Sequence, residues 1–244
     1  MGFFKRHQGR GSYDLFSNYA HYLPDVGGMF LLFVLFLLGA LLGNIIVIGL
    51  GLFSLEFAAT YGTVISYPVM FIPPLLYASA QSRRNEFFDK GYALDSKNFG
   101  KMGGLKLAAI VSVATLAVAF MTDSLTKIMP ETPQWFEDAM GAIMDAPVWI
   151  TLLSVSVFAP LFEEWLCRGL VLRGLFQKMK PGAAIAVSAI FFAVLHMNPW
   201  QAVPAFILGV LFGYVYYRTG SLKLTMLMHC INNTFAVIFS KIPA

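Results

Sequence analysis

The sequence predicts an all-α, multi-pass membrane bundle of about seven spans, and three observations predict it. Hydrophobic residues make up 58% of the 244 and charged residues 12%, against roughly 45–50% and about 25% in soluble globular chains. The mean hydropathy is +0.69, and a soluble domain has too little interior to hide that much apolar surface. The apolar residues also gather into runs near the ~20 residues a spanning helix needs. Finally, the basic residues fall on alternate loops, as the positive-inside rule requires of a multi-pass protein. Such sparse charge excludes a disordered chain and implies no nucleic acid. Cys167 and Cys230 supply no disulfide framework and no CxxC metal knot.

Phe30–Phe53 is the first span, interrupted by one strongly polar residue, Asn44. It follows a 29-residue lead and is too long for a signal-peptide core. The second run, Thr63–Ala80, contains Pro68, Pro73 and Pro74, which predict a kinked or partly unwound helix. Leu105–Met121 is the third. A fourth begins near Val148 and runs through Leu161 into the charged stretch Glu163–Arg168. Ala183–His196, Ala202–Tyr217 and Leu222–Phe239 follow. Two further segments predict interfacial structure. Thr132-Pro133 starts a short helix whose stripe is Trp135, Phe136, Ala139, Met140, Ile143 and Met144, and Tyr13, Phe16, Tyr19 and Tyr22 form an aromatic belt.

With the N-terminus inside, Lys5, Arg6, Arg10, Arg83, Arg84, Lys90, Lys97, Lys101 and Lys106 are cytoplasmic. So are Arg168, Arg173, Lys178, Lys180, Arg218 and Lys223, leaving Lys127 and Lys241 outside. The outer loop carries Asp123, Glu131, Glu137, Asp138 and Asp145. The net charge of +4 is thus an orientation signal. In a bacterial host the expected location is the cell membrane.

Ionisable residues within spans are functional candidates, since each costs ~2.5–3.5 kcal/mol at mid-bilayer on insertion scales. Here they are Glu163, Glu164, His196 and His229, with Arg168 just beyond the two acids. Glu164 and Arg168 are i,i+4 with the acid N-terminal, the favourable order for a pair on one helix face. Glu163 is rotated about 100° from that face and is free to look elsewhere. Pro160 frees a carbonyl near the acids. Phe192 and His196 share one helix face, and His229 and Asn233 share another. At ~1.5 Å per residue, Glu163 and His196 lie at matching depth, whereas His229 is shallower and needs tilt or an offset helix end to join them. Taken singly, the Glu164–Arg168 pair reads as structural, a lone histidine as packing, Asn233 as interhelical glue and the cysteines as small buried residues.

Together these residues resemble the CPBP family of intramembrane proteases, also called the CaaX protease and bacteriocin-processing family. The motifs read Glu163-Glu164-Trp165-Leu166-Cys167-Arg168, Phe192-Ala193-Val194-Leu195-His196 and His229-Cys230-Ile231-Asn232-Asn233, in order on the C-terminal helices. Cys167 stands where the first motif often carries Phe. The resemblance covers roughly Trp149–Phe239. It implies a catalytic core of about four spans at 148–244, preceded by a variable membrane region at 1–147 with about three. It further implies an endopeptidase in which Glu163 with His196 activates water, while His229 and Asn233 bind a metal ion or the developing oxyanion. Glu164 and Arg168 would hold the helix and the first acid in place.

The residues by themselves permit that chemistry in two forms. A glutamate withdrawn from water suits general-base work near neutrality, and an amide with a protonated histidine suits an oxyanion. Alternatively Glu163, His196 and His229 form a two-His-one-carboxylate zinc set with an open water position. Both forms remain open. The expected partners are lipid and a peptide or membrane-protein substrate. No His-Glu-x-x-His, in-span Gly-x-Ser or Asp pair points to another intramembrane protease class. The rivals are a non-proteolytic binding, immunity or scaffold protein using the same cavity, and a proton-coupled transporter.

Overall fold

The computed structural model describes residues 22–84, 98–126 and 128–241. Among them all regular structure is helical. We number the helices α1 (Val26–Phe53), α2 (Leu55–Arg84), α3 (Gly104–Thr126), α4 (Gln134–Met144), α5 (Val148–Leu175), α6 (Pro181–Leu195), α7 (Pro199–Thr219) and α8 (Leu222–Ser240). Six of them, α1, α2, α3, α5, α7 and α8, are long and apolar enough to cross a membrane. The seventh expected span, α6, has 15 residues, or ~22 Å of helix against a hydrocarbon core of ~30 Å. It is apolar but falls short of a full crossing.

Asp25 caps α1 by accepting from the Gly28 N–H at 2.8 Å. Ser54 then reverses the chain in one extended residue, and its hydroxyl accepts from the Phe57 N–H at the start of α2. The two helices pack with backbones nearly touching, because Gly39 and Gly43 face α2. A Cβ at Gly39 would stand 2.1 Å from the Met70 carbonyl oxygen, and one at Gly43 would stand 3.1 Å from Ser66. This is the small-xxx-small contact by which membrane helices associate. α2 runs through Pro68, Pro73 and Pro74 as one continuous helix, so the partial unwinding expected of it does not occur. In an apolar medium an opened turn exposes further backbone groups with no partner, which favours keeping the helix intact.

The belt residues Tyr13, Phe16 and Tyr19 lie outside the described residues, as do Lys5, Arg6, Arg10, Lys90, Lys97 and Lys127. Tyr22 is described and is no surface anchor. It is buried against α2, its N–H donates to Ser82 Oγ at 3.2 Å, and its ring meets Tyr77 edge-on. Burial first, then the Tyr77 hydroxyl and Asp25, push its phenol well above the ordinary tyrosine range.

α5 carries the acids and departs from α-helical geometry on both sides of them. Leu152–Phe158 and Trp165–Leu172 are π-helical, flanking an α-helical Ala159–Glu164. In the wider register the Ala159 N–H reaches the Ser154 carbonyl, five residues back. The next bond in that series would join residue 160 to Val155, but Pro160 has no N–H. Asn233 of α8 supplies the missing donor, its Nδ2 lying 2.8 Å from the Val155 oxygen. The carbonyl that Pro160 releases is thus answered from another helix.

α6 ends with His196 as its cap. Met197 follows at φ 52 and Asn198 opens α7, accepting from the Gln201 N–H and donating to the His196 carbonyl. α4 is the expected amphipathic helix. Phe136 is buried, and the Trp135 and Phe136 rings meet Trp200, whose indole N–H donates to the Pro130 carbonyl at 2.8 Å. Thr151 of α5 donates to the Ile143 carbonyl. α4 is therefore fastened to the starts of α5 and α7, beside the turn that carries His196.

Candidate active site

Glu163 and Glu164 end the short α-helical piece of α5, and both are buried. The predicted pairing holds. Arg168 NH1 donates to Glu164 Oε1 at 2.8 Å, with both side chains fully buried. The other guanidinium nitrogen, NH2, donates to the Gly209 carbonyl of α7 at 3.0 Å. Gly209 is closely packed there, since a Cβ at this position would stand 3.2 Å from Ala189 and from the Phe192 ring of α6. The Arg168 guanidinium also lies over the Phe192 ring, 4.6 Å from its centroid, and near Phe212 at 5.5 Å. A buried cation is tolerable here because it meets a carboxylate, a carbonyl and two ring faces.

His229 of α8 reaches both acids. Its Nδ1 is 3.1 Å from Glu164 Oε1, and its Nε2 is 4.0 Å from Glu163 Oε2. A carboxylate accepts, so Nδ1 donates to Glu164, and Nε2 is the ring nitrogen turned toward Glu163. The shallower position of His229 in the sequence does not keep it from the acids. Glu164 therefore holds His229, and Arg168 holds Glu164.

Glu163 faces elsewhere, as its rotation from Glu164 predicts. Its Oε1 accepts from the Tyr67 hydroxyl of α2. Its Oε2 is buried and accepts no hydrogen bond among the described residues. Tyr67 is the site residue that sequence reasoning misses. It lies in the proline-bearing second span, far from the three motifs, and a lone tyrosine in an apolar run reads as packing.

His196 is half-buried, and its Nδ1 donates to the Phe192 carbonyl at 3.0 Å. It makes no hydrogen bond or ion pair with Glu163. Phe192 stands between the two histidines, edge-on to His196 at 5.2 Å and to His229 at 5.5 Å. That triple contact, to Arg168 and both imidazoles, is a physical reason for a phenylalanine four residues before His196. Asn233 lies one turn beyond His229. Its Nδ2 is bonded to Val155 and its Oδ1 accepts from Asn232 at 3.0 Å. Among the described residues no three His, Cys, Asp or Glu side chains gather closely enough to hold a metal ion. Cys167 is buried and Cys230 half-buried, and both are free thiols.

Residues 145–235 match the family model of the type II CAAX prenyl endopeptidases, Rce1-like. The chain is 32% identical over 97 residues to the membrane-embedded CAAX protease MroQ of Staphylococcus aureus (strain USA300), covering 37% of this chain and 39% of that protein. It is 26% identical over 104 residues to YdiL of Bacillus subtilis (strain 168), provisionally named a membrane peptidase, covering 42% of this chain and 43% of that protein. The matched stretches thus span about two fifths of the curated relatives. No solved structure gives a significant match. Over residues 145–235 this chain is a homologue of the CAAX/Rce1-like intramembrane proteases of the CPBP family.

Proposed function

We propose that this protein hydrolyses a peptide bond within the membrane, with Glu163 as general base. The observation that carries the reading is the opposition of two atoms. Glu163 Oε2, buried and without a hydrogen bond among the described residues, faces His229 Nε2 at 4.0 Å. That gap is too long for a direct hydrogen bond and suits an atom shared between the two groups. A water held there passes its proton to Oε2 as its oxygen attacks the scissile carbonyl. Glu164 holds His229 in the tautomer that aims Nε2 at the water, and Arg168 neutralises Glu164. The second N–H of the Asn233 amide donates to the tetrahedral oxyanion, and His229 Nε2 accepts from the hydroxyl that the water leaves on that carbon. Oε2 then gives its proton to the amine nitrogen as the C–N bond breaks. His196, on the far side of Phe192, is the partner that the family motif assigns to Glu163.

In the second form Glu163, His196 and His229 would draw together around a divalent metal ion, since among the described residues no such trio lies close enough to hold one. Bound there, zinc would polarise the carbonyl and lower the pKa of its water. Metal analysis of the purified protein, with chelator inhibition, decides between the two forms. The proposed arrangement has the N-terminus in the cytoplasm and a catalytic unit at 148–244, with α6 as a seventh, partial span. The substrate is a peptide or membrane-protein segment entering from the bilayer plane or the cytoplasmic side, and prenylation need not be required.

The test is cleavage of a peptide library by the full chain in liposomes. Glu163→Gln should lower the rate about 10²–10⁴-fold, the usual worth of a general base. Full activity in that variant, or none in the wild type, overturns the proposal. Binding of the same peptides without cleavage would favour the scaffold reading, and proton-dependent flux in sealed vesicles a transporter.

A further inference from the structure

We infer that Tyr67, on α2 and outside residues 145–235 that match the family model, is a positioning residue of the reaction. It fixes the Glu163 carboxylate so that Oε2 alone works as the base. The inference rests on the role proposed for Glu163.

A carboxylate has two equivalent oxygens, and rotation about its last torsion exchanges them cheaply, since that torsion is broad and two-fold. In this protein they are made unequal. Oε1 is taken by the Tyr67 hydroxyl, whereas Oε2 is left toward His229 Nε2. A phenol is suited to the task because its donor stands at the end of a rigid ring with only two torsions to fix.

The ring itself is held by aromatic contacts. Tyr67 stacks on Phe71 at 5.9 Å, and Phe71 stacks on Phe162 at 5.2 Å. Phe36 of α1 packs on Phe71 from another side at 5.4 Å. Phe162 immediately precedes Glu163 in the chain, so the column joins the donor's helix to the acceptor's. The approach of α1 to α2 at Ser66 and Met70, which flank Tyr67, is set by Gly43 and Gly39. The site is therefore composite, and the N-terminal helices supply one of its working groups.

The test is Tyr67→Phe, which keeps the ring column and removes only the hydroxyl. The expected result on the best-cleaved library peptide is a kcat lower by about tenfold, the factor that 1.4 kcal/mol gives, with KM within twofold of wild type. A purely structural tyrosine would lower the fraction of folded enzyme and the thermal midpoint, and a phenylalanine in the same column should preserve both. A second readout does not depend on turnover. The infrared difference between wild type and Glu163→Gln isolates the Glu163 carboxyl bands, and these should shift in Tyr67→Phe. An unchanged kcat overturns the inference, and so does an unshifted band. Either result leaves the general-base reading standing if Glu163→Gln remains inactive. Activity retained in Glu163→Gln removes that reading instead.

Discussion

Glu164 Oε1 receives Arg168 and His229 together, while Glu164 Oε2 is buried and accepts no hydrogen bond among the described residues. The charge on Glu164 is therefore balanced almost entirely by Arg168, in a setting with little water to replace it. Removing one partner of a buried ion pair costs about 3–5 kcal/mol, mainly through the charge left behind. Arg168→Leu should lose stability on that scale, read as a lowered unfolding midpoint in detergent. Arg168→Lys should fall between the two, since an ammonium keeps the charge but lacks the planar fork that reaches Glu164 and the Gly209 carbonyl together. Much of this was legible in the sequence. The i,i+4 spacing of Glu164 and Arg168 pairs them, and the 100° turn sends Glu163 elsewhere. The destination of Glu163 was not legible, because no local spacing relates residue 163 to Tyr67.

The two glycines of α1 make a prediction that belongs to the helix pair. Gly39→Ala places a methyl group 2.1 Å from the Met70 carbonyl oxygen, where backbone and not a flexible side chain must yield. Overpacking of this kind costs about 1–3 kcal/mol, and the displaced α2 should carry Tyr67 away from Glu163. Gly49→Ala is the control. Nothing lies within 4 Å of its added Cβ, and alanine is the better helix former by about 1 kcal/mol. Thermal unfolding should show a loss for the first and none for the second, and equal behaviour would contradict the close packing of α1 on α2. The same element scale explains where helix reading succeeds and stops. Length and apolarity locate the long helices to within about five residues, except at the start of α2, which begins at Leu55, before the expected Thr63. The prolines of α2 predict a partial unwinding that the continuous helix does not show, and the π-helical turns of α5 leave no periodic mark because a change of hydrogen-bond register is not written in composition.

Across the whole molecule, the scarce charges serve two ends. In the proposed topology those of the loops orient the chain, whereas Glu164, Arg168 and His229 meet one another inside it. Lys178 and Glu131 are both exposed and lie at opposite ends of the proposed topology. A membrane-impermeant maleimide applied to intact cells should label a cysteine introduced as Glu131→Cys, and one introduced as Lys178→Cys only after lysis. The reverse pattern would overturn the proposed orientation. The native thiols should add little background, Cys167 being buried and Cys230 half-buried.

What the sequence determined by itself is the membrane fold class, the order of the long helices and the pairing of Glu164 with Arg168. Each is carried by local composition or by spacing along one helix, and 3.6-residue periodicity makes such spacing readable. Tertiary structure alone decided which atoms of the candidate site meet. It gave His229 to Glu164 through Nδ1, set Phe192 between the histidines, used Asn233 to answer the carbonyl that Pro160 released, and brought Tyr67 to Glu163 from a helix about a hundred residues away. Those contacts depend on helix separations set by single glycines and on rotations about helix axes. Neither is expressed in the spacing of residues along one chain segment.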